Sequence, residues 1–200
     1  LALAELGRET THPNPMVGAV VVHDGEVVGE GWHRRRGEAH AEVNALADAA
    51  RRGHDPRGAT MVVTLEPCNR HGRTPPCVDA VLAAGIARVV VAMADPNPGQ
   101  LGGAARLRAA GVVVDMGVDD EAARDLNPGF LSAMTRGRPW VRTKIAASLD
   151  GRTALANGQS QWITGADARA AGHAWRTRAC AVLTSIGTVL QDDPQLNVRA

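Results

Sequence analysis

Aromatic side chains are scarce in this chain, which has no Tyr and one Phe among its 200 residues. Proteins that bind single-stranded nucleic acid stack bases on aromatic rings and follow the phosphates with positive charge. Here aromatic residues make up 2% of the chain and the formal net charge is +1. The composition therefore argues against a base-stacking surface, and it gives no electrostatic reason to expect nucleic acid or a membrane surface as partner.

Long apolar runs and paired cysteines are lacking too. The longest apolar run, Met16–Val22, is far below the ~20 residues of a bilayer-crossing helix. Three cysteines make a poor disulfide framework, so we expect reduced thiols. With no leader or lipidation motif, these features predict a cytoplasmic protein. Because the chain starts at Leu1 rather than Met and stops at Ala200 after a motif-rich stretch, we expect both ends to be cut.

Apolar strands and amphipathic helices alternate along the first 120 or so residues. Asp24-Gly25 is a hairpin signal between two apolar runs. The predicted strands cover residues 17–22, 27–32, 59–65, 87–92 and 112–116, and the predicted helices cover residues 40–53, 78–84 and 104–110. This order indicates a three-layer α/β sandwich.

A second unit is predicted to follow the sandwich. Asp119–Arg138 has the pattern of a helix and linker, and Trp140–Ala146 that of a new strand. We therefore expect two domains, residues 1–138 and residues 139–200.

Three residues have the chemistry of a catalytic zinc site. His40 opens one predicted helix, while Cys68 and Cys77 bracket the entrance to the next. Zinc in a catalytic site takes three protein ligands and leaves the fourth position to water. A helix N-terminus lowers a thiol pKa, so we expect both cysteines to be thiolates, which with a neutral imidazole balance the charge of Zn²⁺.

Glu42 follows His40 by two residues and so cannot point along the same helix face. A carboxylate there can take a proton from zinc-bound water and pass it to a departing amine. His-x-Glu followed by Pro-Cys and a further Cys is the signature of zinc-dependent deaminases of bases and nucleosides.

Other interpretations of these residues stay open. His71 would close the zinc site as a fourth ligand if the site were purely structural. Cys180 has no ligand-type neighbours and is read as a packing residue. A zinc deaminase of nucleic-acid bases, as in tRNA editing, and a non-catalytic zinc-stabilised module are the two alternative functions.

Short motifs follow one another along most of the chain. The most specific feature among them is the gap of eight residues between Cys68 and Cys77. The motifs are HPNPMVGAVVV, GEGWH, HAEVNAL, TLEPC with GRTPPC, DPNP, KIAASLDGRTA, SQWIT and GTVLQDDPQLNVR. With them the chain resembles the bifunctional riboflavin-biosynthesis enzymes, in which a diaminohydroxyphosphoribosylaminopyrimidine deaminase is joined to a 5-amino-6-(5-phosphoribosylamino)uracil reductase.

The resemblance implies a cytidine-deaminase-like fold followed by the start of a dihydrofolate-reductase-like α/β domain. It implies hydrolysis of a ring amino group of a phosphorylated pyrimidine with release of ammonia, then reduction of the ribosyl chain to ribityl with NADPH. His40, Cys68 and Cys77 would bind zinc, and Glu42 would carry the proton. Family members usually associate, so a homo-oligomer is compatible with the resemblance.

The resemblance also implies contacts to substrate and cofactor. Asn14 would hydrogen-bond the pyrimidine, although it also fits a turn residue between prolines. Arg176 and Arg199 equally fit solvated surface charges. The implied NADPH contacts are Ala146, Trp162, Thr188 and Asp192, and the implied reductase substrate contacts are Ser160, Arg176, Leu196 and Arg199.

The chain departs from the family pattern in two ways that affect function. Arg70 stands where the family usually has His. Only about 60 residues follow Pro139, and they lack the glycine-rich phosphate-binding segment that the family uses for NADPH. We expect such a chain to deaminate and not to reduce. Arg73 is a candidate for the substrate phosphate in the first domain.

Overall fold

The computed structural model describes residues 1–99 and 102–199. The chain separates into two compact units, Leu1–Trp140 and Val141–Ala200. The predicted boundary fell at residues 138/139, two residues earlier. Ala200, the last residue of the predicted second domain, lies outside the described residues.

A five-stranded sheet forms the centre of the first unit, in the order β2-β1-β3-β4-β5. Its strands are β1 (Gly18–His23), β2 (Glu26–Trp32), β3 (Thr60–Leu65), β4 (Arg88–Met93) and β5 (Val113–Met116). Strand β1 runs antiparallel to both β2 and β3, while β3, β4 and β5 are parallel. The predicted hairpin is present, and Asp24 and Gly25 both have positive φ, at 51° and 83°, as a tight two-residue turn requires.

Helices cover both faces of the sheet. They are α1 (Ala2–Glu5), α2 (Ala41–Arg51), α3 (Cys77–Ala83), α4 (Gly103–Ala109), α5 (Asp120–Leu126) and α6 (Pro128–Arg136). Gly31 lies against the backbone of Ala41 and Ala45 in α2, so closely that a Cβ there would clash. Gly18 meets Ala4 of α1 in the same way. Since Gly31 pairs with Ala19, the neighbour of Gly18, the two glycines face opposite sides, and the three-layer α/β/α prediction is confirmed.

The hydrophobic core lies mainly between the sheet and its helices. Alternate residues of the central strands are buried, among them Val21, Met61, Val63, Val89 and Val91. Burying such side chains stabilises the fold by about 1.5–3 kcal/mol each. This core holds the ends of the central strands rigidly at the edge where the candidate site lies.

The segment predicted as one helix and a linker forms two short helices instead. Asn127 lies between α5 and α6, where its Oδ1 accepts from the Met16 backbone N–H at 2.8 Å and its Nδ2 donates to the Met16 carbonyl at 2.8 Å. This double hydrogen bond satisfies both backbone groups of Met16. It fixes the chain just before β1 against the helical C-terminal part of the unit.

The second unit contains α7 (Ala166–Thr177) and α8 (Ile186–Asp192). The predicted strand over residues 140–146 is wrong, because this stretch has no regular secondary structure. Extended backbone forms a strand only when it exchanges hydrogen bonds with a neighbouring strand. Residues 141–199 contain no strand that could be this neighbour.

Within the described ranges, 1–99 and 102–199, no helix has the length and apolar character needed to cross a membrane.

Candidate metal centre and active site

Three potential metal ligands converge at one edge of the sheet. The His40 Nδ1 atom lies 3.2 Å from Cys77 Sγ and 3.5 Å from Cys68 Sγ. The ligand atoms of the three residues all lie within 4.8 Å of one another. Two sulfurs and one imidazole nitrogen suit zinc, and three protein ligands match the open sites in which zinc is catalytic.

Local structure explains how the three side chains meet. His40 is the N-cap of α2, Cys68 follows the end of β3, and Cys77 is the first residue of α3. Pro76, the N-cap of α3, has no N–H to lose and fixes the entry of the chain into the helix. The placement predicted for the ligands at the starts of two helices is therefore what the structure shows.

A hydrogen bond couples the two thiols in this arrangement. The hydrogen bond with Cys77 lowers the pKa of the Cys68 thiol, with a smaller contribution from His40. The same bond, together with burial, raises the pKa of Cys77. The Cys77 backbone N–H also donates to Cys68 Sγ at 3.3 Å. The pKa values of the two thiols thus shift in opposite directions, and a cation bound between the sulfurs would favour the predicted pair of thiolates.

Glu42 lies in the first turn of α2 and is only 3% exposed. Burial raises the pKa of its carboxyl group, and its interaction with His40 opposes this. It lines the same cavity as His40 and Cys68. The carboxylate is thus close to the three donors without being one of them, as the sequence predicts for a proton carrier.

His71 does not take part in the cluster. Among the described residues, the group that could hold a metal ion consists of His40, Cys68 and Cys77. His71 is exposed. The prediction of an open site with three protein ligands agrees with this geometry better than the closed structural site does.

A cavity of about 420 Å³ opens beside the cluster. Asn14, Arg70 and Arg73 line it, as do Phe130 and Met134 of α6. Its volume suits a small molecule of nucleotide size. Asn14 thus contributes a polar side chain to the cavity, and the two arginines put positive charge there.

Sequence reasoning assigned no role to Glu66 or Asp95, both of which are buried and line the cavity. Glu66 Oε1 accepts from the Ala104 backbone N–H at 2.8 Å, and its Oε2 accepts from the Asp95 N–H at 3.3 Å. This one carboxylate ties the loop of Cys68 to the end of β4 and the start of α4. Glu66 belongs to the TLEPC motif and Asp95 to the DPNP motif, so the sequence does mark both residues. Neither motif shows which distant segment its carboxylate will contact in the folded protein.

Asp95 carries an electrostatic cost. Burial raises the pKa of its carboxyl group from 3.8 to about 6, assisted by the charge of Glu66, while the Asn97 N–H opposes the rise. A raised carboxyl pKa means that the folded state binds the proton more tightly than the unfolded state. The free energy of unfolding therefore decreases as the pH rises from the ordinary carboxyl pKa of 3.8 through the raised pKa of about 6.

Replacing Asp95 by Asn is expected to stabilise the protein by about 1–2 kcal/mol above that pKa, after allowance for solvent screening. The amide oxygen can still accept from Asn97, as Asp95 Oδ1 does at 2.9 Å. Thermal unfolding at pH 8 and pH 5 measures the effect, and the gain should shrink at the lower pH. Asp55→Asn is the matched control, since exposed Asp55 accepts from Arg57 N–H in the same i to i+2 arrangement. A gain for Asp95→Asn that is equal at both pH values would contradict the assignment.

Three of the implied reductase substrate contacts come together in the second unit. Arg176 Nη1 donates to the carbonyls of Gln195 and Asn197 at 3.3 and 3.0 Å. Arg199 Nη1 donates to the Gln195 carbonyl at 3.3 Å and to the Asn197 side chain at 3.0 Å. Leu196 lies in the segment that both guanidinium groups hold. The fourth residue, Ser160, is half-buried and lies outside this group of contacts.

The implied NADPH contacts are not gathered in this way. Trp162 is 71% exposed, with the Arg169 guanidinium 4.4 Å from its ring. Thr188 binds Ser185 near the start of α8, where its N–H donates to the serine Oγ at 3.2 Å. Asp192 is exposed at the end of α8, and Ala146 is half-buried in the segment that lacks a strand.

Two family models match the chain. The model described as the cytidine and deoxycytidylate deaminase zinc-binding region matches residues 1–93, and the one described as the RibD C-terminal domain matches residues 139–200. The riboflavin biosynthesis protein RibD of Escherichia coli (strain K12) is 56% identical over 200 residues, which are 100% of this chain and 54% of that protein. The protein of the same name from Aquifex aeolicus (strain VF5) is 50% identical, and the match covers 100% of this chain and 55% of that one.

Solved structures give the same result. A Thermotoga maritima protein described as a diaminohydroxyphosphoribosylaminopyrimidine deaminase/5-amino-6-(5-phosphoribosylamino)uracil reductase is similar with a TM-score of 0.95 and 45% identity, over 99% of this chain and 56% of that one. Acinetobacter baumannii RibD is similar with a TM-score of 0.91 and 50% identity, over 100% of this chain and 55% of that one. The chain spans about half the length of these relatives.

The sandwich, the His-Cys-Cys cluster and the buried glutamate beside it define a zinc-binding domain of the cytidine and deoxycytidylate deaminase type. The relatives carry the identification further. Over its whole length the chain is similar to RibD riboflavin biosynthesis proteins, which agrees with the resemblance seen in its motifs.

Proposed function

We propose that the first unit is a zinc-dependent deaminase that hydrolyses a ring amino group of a pyrimidine and releases ammonia. The observation that carries this proposal is the burial of Glu42 in the cavity lined by His40 and Cys68. Burial of a carboxylate costs free energy, and burial is the largest influence on the pKa of Glu42, ahead of its interaction with His40. Beside a hydrolytic metal centre the carboxylate is in reach of the proton that must move.

His40, Cys68 and Cys77 are the residues that would hold zinc. Zinc held there would lower the pKa of a water molecule far enough to make that water a nucleophile near neutral pH. Because burial raises its pKa, Glu42 holds a proton more tightly than an exposed carboxylate does. It can therefore accept a proton in one step and donate it to the departing amine in the next.

The proposed substrate is 2,5-diamino-6-(5-phosphoribosylamino)pyrimidin-4(3H)-one, in agreement with the name of the Thermotoga maritima relative. The cavity has room for a mononucleotide-sized molecule. Arg70 and Arg73 supply cationic groups at the cavity, and guanidinium groups bind phosphate well. Asn14 supplies a polar group for the ring.

Ammonia release from this substrate, compared with cytidine and a tRNA anticodon stem-loop, tests the proposal. We expect turnover of the ribosyl phosphate and little or none of the other two. Preferred turnover of the stem-loop would favour the nucleic-acid deaminase instead. Zinc binding without turnover of any of the three would favour a zinc-stabilised, non-catalytic module.

We propose that the second unit is part of an NADPH-dependent reductase domain, on the basis of the family match over residues 139–200. The domain assignment, residues 1–138 and 139–200, is part of this proposal. The convergence of Arg176 and Arg199 on one segment supports a substrate-binding role for that region.

The 200-residue chain is expected to release ammonia without consuming NADPH. Residues 141–199 contain two helices and no strand, and their large apolar side chains, Trp162 and Leu190 among them, are exposed. Open α/β folds bind dinucleotides at the carboxyl ends of strands. The absorbance of NADPH, followed in the presence of deaminated substrate, is the measurement, with a full-length relative as positive control. Oxidation by this chain would show that its residues suffice for reduction.

The remaining proposals concern location and partners. The open zinc site uses thiols that must stay reduced, which supports a cytoplasmic location. The near-zero net charge supports a small-molecule substrate rather than nucleic acid or a membrane. Association into a homo-oligomer is proposed from the family alone.

A further inference from the structure

His33, in the GEGWH motif, is a buried histidine to which neither the zinc site nor the proton transfer gives a role. It follows the last residue of β2 and is 2% exposed. Its ring packs edge-on against His40, with 5.2 Å between the ring centroids. Both ring nitrogens have partners, since Nδ1 lies 3.2 Å from the Ala39 carbonyl oxygen and Nε2 lies 3.1 Å from Asn14 Nδ2.

The chemistry of these partners fixes the direction of each hydrogen bond. A carbonyl oxygen can only accept, so Nδ1 of His33 must carry the hydrogen in its bond to Ala39. The Asn14 amide nitrogen faces Nε2 of His33 at 3.1 Å, and an NH₂ group can only donate, so Nε2 carries no hydrogen. In a neutral imidazole with hydrogen on Nδ1, Nε2 is an acceptor, and the group facing it must be a donor.

This direction determines how the Asn14 amide is turned. The NH₂ end of Asn14 donates to His33 Nε2, and the reverse orientation would place a carbonyl oxygen against a nitrogen lone pair. The Asn14 carbonyl oxygen does not take part in the bond to His33. Because the Asn14 side chain lines the cavity, this oxygen is available to a ligand there. A fixed oxygen accepts hydrogen from an N–H of a ligand and repels a ligand oxygen or a bare ring nitrogen.

We propose that His33 is a positioning residue that holds the Asn14 amide with its carbonyl oxygen toward the substrate, so that the site selects pyrimidines that present an N–H edge there. The inference rests on the deaminase function proposed above and deepens it. His33 also lines the cavity, but both of its ring nitrogens bond protein groups, so its effect on the substrate passes through Asn14.

Two substitutions of His33 separate its two hydrogen bonds. In His33→Asn the amide reaches the place of Nδ1 and can keep the bond to Ala39, but it loses the acceptor that faces Asn14. In His33→Gln the longer side chain places an amide oxygen near the place of Nε2, where it can accept from Asn14. Losing one buried hydrogen-bond partner corresponds to a roughly 5- to 100-fold effect.

We therefore expect His33→Asn to raise KM for the diaminopyrimidine ribosyl phosphate by roughly 10- to 100-fold, with a smaller change in kcat. His33→Gln should stay within about threefold of the parent, because it restores the acceptor. Zinc content and melting temperature of both variants are measured alongside. Equal KM values in the two variants would overturn the proposal.

A double-mutant cycle with Asn14→Ala gives the decisive comparison. If His33 acts only through Asn14, His33→Asn has no further effect once the amide is gone. Full additivity of the two losses would overturn the proposal, because it would mean an independent role for the histidine.

The tautomer can be measured without turnover, on the unmodified protein. A long-range ¹H–¹⁵N correlation spectrum distinguishes histidine with hydrogen on Nδ1 from histidine with hydrogen on Nε2. We expect the Nδ1–H form for His33, and the Nε2–H form or a charged ring at neutral pH would overturn the assignment. If the parent protein releases no ammonia from any substrate, the proposed function fails, and this spectrum still decides the orientation of His33.

Discussion

Replacing Glu42 by Gln is expected to abolish ammonia release while leaving zinc bound. Glutamine keeps the size and hydrogen-bonding reach of the side chain but can neither accept nor donate a proton in the reaction. General acid–base groups contribute on the order of 10²–10⁴-fold to rate, and Glu42 would serve in both proton transfers. The loss should therefore lie at the upper end of this range or beyond it. Because Glu42 is not among the three potential ligands, His40, Cys68 and Cys77, metal content should stay near one zinc per chain.

Glu38→Gln is the matched control for this experiment. Glu38 lines the same cavity, but it is exposed and is not among the three potential ligands. Its replacement removes the same charge from the cavity and should change turnover by no more than a few fold. Steady-state ammonia release and elemental analysis are the two measurements. Turnover of the Glu42→Gln protein near the parent rate would refute the proton-carrier role, and similar losses in both variants would assign the effect to charge alone.

Replacing Cys68 by Ala is expected to remove both the metal and a large part of the stability of the first unit. The side chain faces His40 Nδ1 and accepts from the Cys77 backbone N–H, so the change deletes one ligand and one hydrogen-bond acceptor. Metal that binds only the folded state stabilises it by about 4 kcal/mol when free zinc is about a thousandfold above Kd. For a unit of this size, the loss corresponds to a melting temperature lower by about 10 °C in the presence of zinc.

Cys180→Ala provides the comparison. Cys180 lies in the second unit, is exposed, and does not belong to the metal cluster. Its replacement should leave zinc content and the melting temperature of the first unit unchanged. The Cys68→Ala protein should also respond less to added chelator than the parent does, because it has no bound metal to lose. Stoichiometric zinc together with an unchanged melting temperature in Cys68→Ala would count against ligation.

Glu42 and Asp95 differ in whether their roles could be predicted from the residues near them in the sequence. Glu42 is placed by its spacing from His40, since both belong to the start of one helix, and the helical period fixes their directions. Asp95 follows a different strand, and its raised pKa depends on burial and on Glu66. Nothing within a few residues of Asp95 reports that Glu66 will lie beside it.

Strand direction explains why the cavity could not be predicted as fully as the metal cluster. Strand β1 begins and β2 ends at the same edge of the sheet because the two are antiparallel, and β3 and β4 end there because β3 is antiparallel to β1 and parallel to β4. Asn14, His33, Cys68 and Asp95 therefore meet although they lie far apart in the chain. The order and direction of strands follow from packing of the whole core, which a local pattern does not encode.

The sequence by itself determined the order of the five strands, the three potential zinc ligands, the nearby glutamate and the resemblance to the riboflavin biosynthesis proteins, because each of these depends on residue types and their order along the chain. The one helix with a linker over residues 119–138 and the strand after Pro139 were predicted wrongly. The first was interrupted where Asn127 binds Met16, and the second has no neighbouring strand within residues 141–199. Only the tertiary structure decided these two points, the partners of Glu66 and the orientation of Asn14. Each of them depends on which distant backbone or side-chain group lies within hydrogen-bonding distance after folding.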